Sequence, residues 1–289
     1  MIDYIFYMLH SIWTETSMKK TFILSIAFFT SIVWHGDAVA GTVVNLNYND
    51  FSSTSGVTLL GVAQQVNGNA LQLATQDVKN VAGGVFFSTP VGVSSFNAQF
   101  TFQFSNTAGA DGMVFVIKNP GSSGTGTGGL GGSGGALGYS SIQKSIGIEF
   151  DSCINTDARY NDIDGNHIAI DANGSMISLT QSNVPVLFNG TGVWHAWVDY
   201  TGNVLSVSAN QNGVKPGTPM LSQDMNIESI VGSSTALVGF TAATGSNTQT
   251  TKLLSFRGSS PVPEPSTYLL MGAGAVIAGI AARRKLLSV

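Results

Sequence analysis

Short runs in which apolar and polar residues alternate are the feature that most constrains the fold of this chain. In the clearest run, 98–104, Phe100, Phe102 and Phe104 share one face and polar residues occupy the other, as in a strand with one buried side. Similar runs occur at 44–48, 70–74, 84–87, 193–200, 203–208, 237–245 and 252–256. No segment between positions 41 and 263 shows a sustained helical period. Many short strands joined by Gly-rich turns predict an antiparallel β-sandwich of the jelly-roll type.

Composition argues against a nucleic-acid partner and excludes an intrachain disulfide. Only 10% of the 289 residues are charged, and between positions 41 and 263 seven Lys and Arg face twelve Asp and Glu. Because no basic patch is present, a nucleic-acid partner is not expected. Cys153 is the single cysteine, so the chain cannot form an intrachain disulfide.

Acidic residues are concentrated in one stretch. Half of the twelve acids between positions 41 and 263 lie at 149–171, with only Arg159 to offset them. In the predicted strand 145–151, alternation places Glu149 and Asp151 on the face opposite Phe150. Carboxylates this close repel one another and lose solvation together, and a bound cation would remove both costs.

The next predicted strand, 167–171, begins at His167, so two strand ends and one loop could surround a pair of ions. Carboxylate, amide and main-chain carbonyl oxygens suit Ca²⁺, whereas carboxylates with one imidazole suit a transition ion such as Mn²⁺. The alternative is an acidic loop that is simply solvated.

The pattern Glu-x-Asp-x-x-x-Asn, followed by Asp-x(4)-His-Ile-x-Ile-Asp, resembles the metal loop of the legume-type (L-type) lectins. This resemblance implies two ion sites. The transition ion would be held by Glu149, Asp151, Asp162 and His167, and Ca²⁺ by Asp151, the Cys153 carbonyl, Asn155 and Asp162. Asp164 lies two residues after Asp162 and is the alternative ligand.

Three further segments resemble the sugar-binding loops of the same family. Asp111, in Ala-Asp-Gly before the apolar run 113–117, would accept hydrogen bonds from two sugar hydroxyls and follow a cis peptide, although such an Asp is otherwise a turn residue. The Gly-rich stretch 121–138 lacks the Gly-Lys-Ser/Thr of a phosphate cradle and is expected to be mobile. The resemblance, which covers 43–257, implies that sugar is bound by Asp111, the Gly135 N–H, Asn155, Ser246 and Asn247.

One position departs from the family pattern. Cys153 stands where the family often has an aromatic residue that stacks on the sugar. A ring would have to come from Tyr139, Tyr160 or another aromatic. We therefore expect weak, millimolar binding at a single site.

Two other functions compete with that of a lectin. Laminarinase-like glycoside hydrolases carry Glu-x-Asp-x-x-Glu, and Glu149 and Asp151 begin that motif. Because Ile154 occupies the place of the second Glu, the acid/base pair is incomplete, and we predict a non-enzyme. The other possibility is a structural surface or matrix protein that keeps the fold without binding sugar.

Both ends of the chain have the pattern of export signals. A basic segment at 18–20, an apolar run at 21–33 and Ala-Val-Ala at 38–40 predict a signal peptide in region 1–40, with translation starting at Met18. Pro-Glu-Pro at 263–265, an apolar run at 268–282 and Arg-Arg-Lys at 283–285 resemble the PEP-CTERM sorting signal of Gram-negative bacteria.

The PEP-CTERM resemblance implies processing by an exosortase-type membrane enzyme and a C-terminal hydrophobic helix that anchors the chain transiently in the inner membrane. A permanent anchor is the alternative. The predicted organisation is a signal region at 1–40, a lectin-like β-sandwich at 41–258 and a linker with sorting segment at 259–289. The predicted product is an exported, metal-dependent protein that binds a carbohydrate or exopolysaccharide and is displayed on or released from the cell surface.

Overall fold

The computed structural model describes residues 43–105 and 109–261. The predicted signal region and the predicted C-terminal hydrophobic helix lie outside these residues. The described residues form sixteen strands: β1 Val43–Tyr48, β2 Val57–Gly61, β3 Gln64–Val66, β4 Ala70–Ala74, β5 Ala82–Phe87, β6 Val91–Gly92, β7 Phe96–Ser105, β8 Gly112–Lys118, β9 Ser145–Asp151, β10 His167–Ala172, β11 Thr180–Asn183, β12 Trp194–Tyr200, β13 Val204–Asn210, β14 Leu221–Asp224, β15 Thr235–Ala243 and β16 Thr250–Pro261. Seven of the eight runs predicted from alternation match these strands to within two residues at either end, whereas the strand that contains the predicted run 252–256 extends five residues further, to Pro261.

The strands form two antiparallel sheets. One has the order β14-β13-β12-β7-β16-β4-β3, with β1 paired to β16. The other has the order β11-β10-β9-β8-β15-β5-β2, with β6 paired to β15. Chain neighbours β9 and β10 are paired, whereas β15 reaches the middle of its sheet from far along the sequence. The predicted antiparallel β-sandwich is confirmed.

The main core is an aromatic cluster between the two sheets. Phe100, on β7 of the first sheet, is fully buried. Its ring centroid lies 5.4 Å from that of Phe115, 5.6 Å from that of Phe150 and 4.8 Å from that of Phe240, all on the second sheet. Tilted and edge-on aromatic contacts of this kind add to the free energy gained by burying the rings. The alternating Phe residues of β7 therefore join the two sheets.

A second, smaller apolar cluster lies on the other face of the second sheet. There Val114 and Val116 of β8 are covered by side chains of the Gly-rich loop, among them the fully buried Leu130 and Leu137. The loop backbone is hydrogen-bonded to itself, with Gly126 N donating to Leu130 O at 2.7 Å. Although the sequence predicts a mobile loop, the structure shows a compact segment anchored in apolar contacts. The result is that β8 and β9 are buried on both faces.

A five-residue helix, α1 Ile227–Val231, was not expected from the sequence. Asn226 caps its first turn by accepting a hydrogen bond from Ser229 N at 2.9 Å, and Gly232 ends it at a φ of 69°. Five residues are too few for a helical period to be recognised. Across 43–105 and 109–261, no helix has the length and apolar character needed to span a membrane.

The aromatic cluster yields a stability prediction. Phe100→Ala should lower the free energy of unfolding by roughly 3–5 kcal/mol, because it leaves a cavity between the sheets. The matched control is Gln99→Ala on the opposite face of β7, with an expected change within about 0.5 kcal/mol. Urea unfolding of the two variants measures the difference. Equal effects would show that the cluster does not hold the sheets together.

Candidate functional site

Strands β9 and β10 bring three potential metal ligands together. Glu149 and Asp151 lie on the outer face of β9, and His167 begins β10 directly opposite Asp151. All three are buried, and one ligand atom of each lies within 4.8 Å of the others. The alternation of one strand and the pairing of two are enough to assemble this cluster.

The imidazole of His167 is oriented for metal binding. Its Nδ1 lies 3.0 Å from the main-chain oxygen of Asp164. A carbonyl oxygen only accepts, so Nδ1 carries the proton and Nε2 keeps its lone pair. Within the described residues, the buried Nε2 of His167 and Oε1 of Glu149 have no hydrogen-bond partner. Buried acceptors without donors fit a cation, which would take their lone pairs.

The electrostatics of the cluster favour the same conclusion. Burial raises the pKa of Glu149 well above its ordinary value, and the negative charge of Asp171 adds to the effect. Burial also raises the pKa of Asp151, although the Cys153 N–H, which donates to Asp151 Oδ1 at 2.6 Å, partly offsets it. A cation would lower these pKa values and stabilise the ionised carboxylates.

The two candidate Asp ligands of the loop differ in their hydrogen bonds. Asp162 Oδ2 accepts a hydrogen bond from Asn155 N at 2.6 Å, which ties it to another predicted ligand. Asp164 instead accepts from Asn166 N at 2.8 Å and from the side chain of Asn183. The compact group of three includes neither Asp162 nor Asp164.

Asp171 belongs to this environment but was not predicted as a site residue. It is fully buried, and neither of its carboxylate oxygens has a donor among the described residues. Burial raises the pKa of Asp171 to about 6. Strand alternation could have identified Asp171, because it shares a face with His167.

The predicted sugar-binding residues form a contiguous patch beside the metal cluster. Gly135, in a short 3₁₀ turn, packs directly against Asn155, since a Cβ at Gly135 would lie 2.6 Å from Asn155 Cγ. A Cβ at Gly245 would lie 3.2 Å from Asp111 Oδ2 and 3.2 Å from Gly134 Cα. Only glycines therefore allow these loops to approach so closely.

Two buried polar atoms of this patch lack a hydrogen-bond partner, and two further residues of the patch are exposed. Asp111 Oδ2 and Asn155 Oδ1 have no hydrogen-bond partner within the described part of the chain. Ser246 and Asn247 are exposed in a turn that is closed by Gly245 N donating to Asn247 O at 3.1 Å. The peptide between Ala110 and Asp111 is cis, as the resemblance implies.

Residues from distant segments hold the Asp111 loop, and the sequence gives no signal for them. The main-chain oxygen of Asp111 lies 2.9 Å from both the N and the Oγ of Ser152. Ser152 Oγ also lies 3.0 Å from Gln249 Oε1, and Asn189 Nδ2 donates to Gly109 O at 3.1 Å. These residues are ordinary polar types far apart in sequence, and only the fold brings them together.

The two tyrosines that could replace the missing ring at Cys153 differ in burial. Tyr139 is fully buried, and its hydroxyl accepts from Ser145 Oγ at 3.0 Å and Gly174 N at 3.2 Å, so it cannot face a sugar. Tyr160 is partly exposed at the edge of the second apolar cluster and remains a candidate. Burial, then the negative charge of Asp111, raises the pKa of Cys153 to about 11, which keeps it a neutral thiol.

Comparison with known proteins identifies the family to which this chain belongs. Residues 43–268 match the legume lectin domain, and residues 261–285 match the PEP-CTERM protein-sorting motif. The chain therefore belongs to the legume lectin domain family and carries a PEP-CTERM motif.

Relatives are found among plant receptor kinases. L-type lectin-domain containing receptor kinase VIII.1 of Arabidopsis thaliana is 29% identical over 222 residues, which cover 69% of this chain and 30% of the kinase. L-type lectin-domain containing receptor kinase SIT2 of Oryza sativa subsp. japonica is 28% identical over 235 residues, covering 71% and 34%. The chain thus spans about a third of the length of these curated relatives.

Solved legume lectins share the fold. The lectin from Bauhinia forficata in complex with GalNAc has a TM-score of 0.62 and 25% identity, covering 77% of this chain and 100% of that one. The winged bean acidic lectin complexed with methyl-α-D-galactose has a TM-score of 0.64 and 22% identity, with the same coverage.

The raised carboxyl pKa values predict how cations and pH act together. Without a cation, the folded pKa values of Glu149 and Asp151 exceed their unfolded values of about 4, so the folded state binds more protons and loses stability as pH rises above about 4 toward the folded pKa values. A cation removes that loss, so Ca²⁺ with Mn²⁺ should raise the melting temperature more at pH 7.5 than at pH 5, relative to EDTA. Glu149→Gln should reduce this rise, whereas Asp157→Asn, at an exposed ion pair with Arg159, should preserve it. An equal rise at both pH values would contradict the prediction.

The contacts of Ser152 predict a separate effect on stability. Ser152→Ala should lower the free energy of unfolding by about 1–3 kcal/mol, because buried Gln249 Oε1 loses its partner. Ser206→Ala removes an exposed hydroxyl that pairs with Ser222 and should change stability by less than about 0.5 kcal/mol. Chemical denaturation of both variants tests this, and a Ser152→Ala effect no larger than the control would argue against the network.

Proposed function

We propose that this chain is an exported, metal-dependent carbohydrate-binding protein. The observation that carries the proposal is that unpartnered buried oxygens of Asp111 and Asn155 lie beside a buried metal-type cluster. Ionised Asp accepts hydrogen bonds from sugar hydroxyls, while the Asn amide and the Gly135 N–H can donate to sugar oxygens. Ser246 and Asn247, at the rim, would influence which sugar is accepted.

In this proposal two ions support the sugar site, and legume lectins bind Ca²⁺ and a transition metal. The transition ion, Mn²⁺, would be held by Glu149, Asp151, Asp162 and His167, and Ca²⁺ by Asp151, the Cys153 carbonyl, Asn155 and Asp162. The bound ions would neutralise the buried carboxylates and fix the loop. Asn155 would then lose less conformational entropy when a sugar binds.

The proposed activity is binding without catalysis. Ile154 stands in place of the second carboxylate of the glycosidase motif and is exposed. The two structural relatives described above hold GalNAc and methyl-α-D-galactose, which makes galactose-type sugars the first to test. Because Cys153 offers no ring and Tyr139 is buried, binding of one sugar unit is proposed to be millimolar, with Tyr160 the remaining aromatic candidate.

The PEP-CTERM motif indicates export and membrane-associated sorting in Gram-negative bacteria. The finer proposal is a signal region at 1–40, a lectin-like domain at 41–258 and a sorting segment at 259–289. An exosortase-type enzyme would process the last segment after transient anchoring in the inner membrane. The mature protein would act on a carbohydrate or exopolysaccharide at the cell surface or after release.

A glycan array tests this function directly. The protein, purified from producing cells in mild detergent, should bind sugars in Ca²⁺ and Mn²⁺ and lose that binding in EDTA. Asp111→Asn should weaken binding at least tenfold without changing the melting temperature, because the amide no longer accepts on both of its polar atoms. Asp224→Asn on β14, in the other sheet, is the matched control and should bind normally.

If no glycan is retained, the lectin proposal fails. The structural surface protein, which the absence of a ring at Cys153 favours, would then be the better description. Binding that is unaffected by Asp111→Asn would place the sugar elsewhere on the protein.

A further inference from the structure

A groove of about 410 Å³ lies next to the proposed sugar site. Three segments form it: the turn after β2, the residues leading into β5, and the middle of the Gly-rich loop. The lining residues are Gly61, Val62, Asn80, Val81, Ala82, Gly126, Thr127, Gly131, Gly132 and Ser133. Its volume is in the range of known small-molecule sites. None of the predicted sugar-binding residues lines it.

The lining of the groove is neutral and rich in hydrogen-bonding groups. None of its residues is charged, which disfavours a phosphate or other strongly ionic ligand. Asn80, Thr127 and Ser133 are exposed, and their side chains form no hydrogen bonds within the described residues. Two hydroxyls and one amide, set among glycines, can donate to and accept from the hydroxyls of a neutral sugar.

The groove continues directly from the proposed sugar site. Asn80 N donates to Gly245 O at 3.2 Å, and Gly245 in turn adjoins Asp111 and Gly134. Ser133, in the groove, immediately precedes Gly134. Gly134 and Gly245, neither of which has a side chain, are in contact between the two regions.

The walls of the groove are held in place by the backbone. Val62 N donates to Ala82 O at 3.1 Å, and Gly131 N donates to Gly138 O at 2.7 Å. Leu130, between the groove-lining glycines of the loop, is fully buried in the second apolar cluster. Such a preformed groove loses little conformational entropy when it is filled.

We infer that this groove is a second subsite, which binds the neighbouring units of a neutral polysaccharide whose first sugar occupies the Asp111 patch. The inference rests on the proposed function and extends it from a single sugar to a chain. Contacts along the groove would compensate for the ring that Cys153 does not supply. Glycines let the loop that forms one wall of the groove fold tightly, since a Cβ at Gly126 would lie 2.4 Å from Gly131 O and one at Gly131 would lie 2.4 Å from Ser140 O.

Binding as a function of chain length tests the inference. Titration calorimetry in Ca²⁺ and Mn²⁺ would compare galactose, N-acetylgalactosamine, glucose and mannose with linear oligosaccharides of two to six of the same units. An oligosaccharide of the sugar that binds should bind at least tenfold more tightly than the single unit. Ser133→Trp and Thr127→Trp, which fill the groove, should abolish this gain and leave single-unit affinity within twofold.

Ser123→Trp is the matched control, because Ser123 is exposed on the same loop but does not line the groove. It should keep the full gain, and all three variants should keep the parental melting temperature. If a single sugar binds but longer chains bind no better, the second subsite is overturned and the proposed function stands. A length gain that survives both groove-filling variants also overturns it. If sugars of no length bind, the proposed function fails together with the inference.

Discussion

The burial of carboxylates on a strand that is covered on both faces is the constraint on which this molecule depends. One face of β9 packs Phe150 into the aromatic cluster between the sheets. On the other face, Glu149 and Asp151 lie under loops rather than in water. Such charges are costly to bury, so the fold requires a compensating partner at that point. The neighbouring loops, including those that carry Asp111 and Asn155, are arranged around that requirement.

Much of the fold follows from local patterns. The Phe residues of β7 and the alternation in β9 and β10 each identify a strand and the face that it buries, because a strand has a period of two. The pairing of β9 with β10 places His167 beside Asp151, and sequence reasoning could predict this too, since strands that are consecutive in the chain pair frequently. The acidic cluster and the β-sandwich could therefore be predicted.

Other features depend on contacts between segments that are distant in the chain. Nothing local marks Ser152, Asn189 and Gln249 as a network, because each is a common polar residue in its own segment. The glycines of the Gly-rich loop predict mobility, yet the buried apolar side chains of Leu130 and Leu137 anchor the loop. Burial, rather than composition, decides the order of such a loop, and burial is known only when the tertiary structure is known.

The path of the last strand determines the direction in which the domain presents its site. β16 begins at Thr250, just after the Gly245 turn, and ends at Pro261, where it pairs with Val43. Twelve residues at about 3.3 Å each span roughly 35–40 Å, so the two ends of the domain emerge together on the side remote from the sugar patch. If either chain end of the domain were attached to a surface, the sugar patch would therefore lie at the opposite end of the domain and face the surrounding medium.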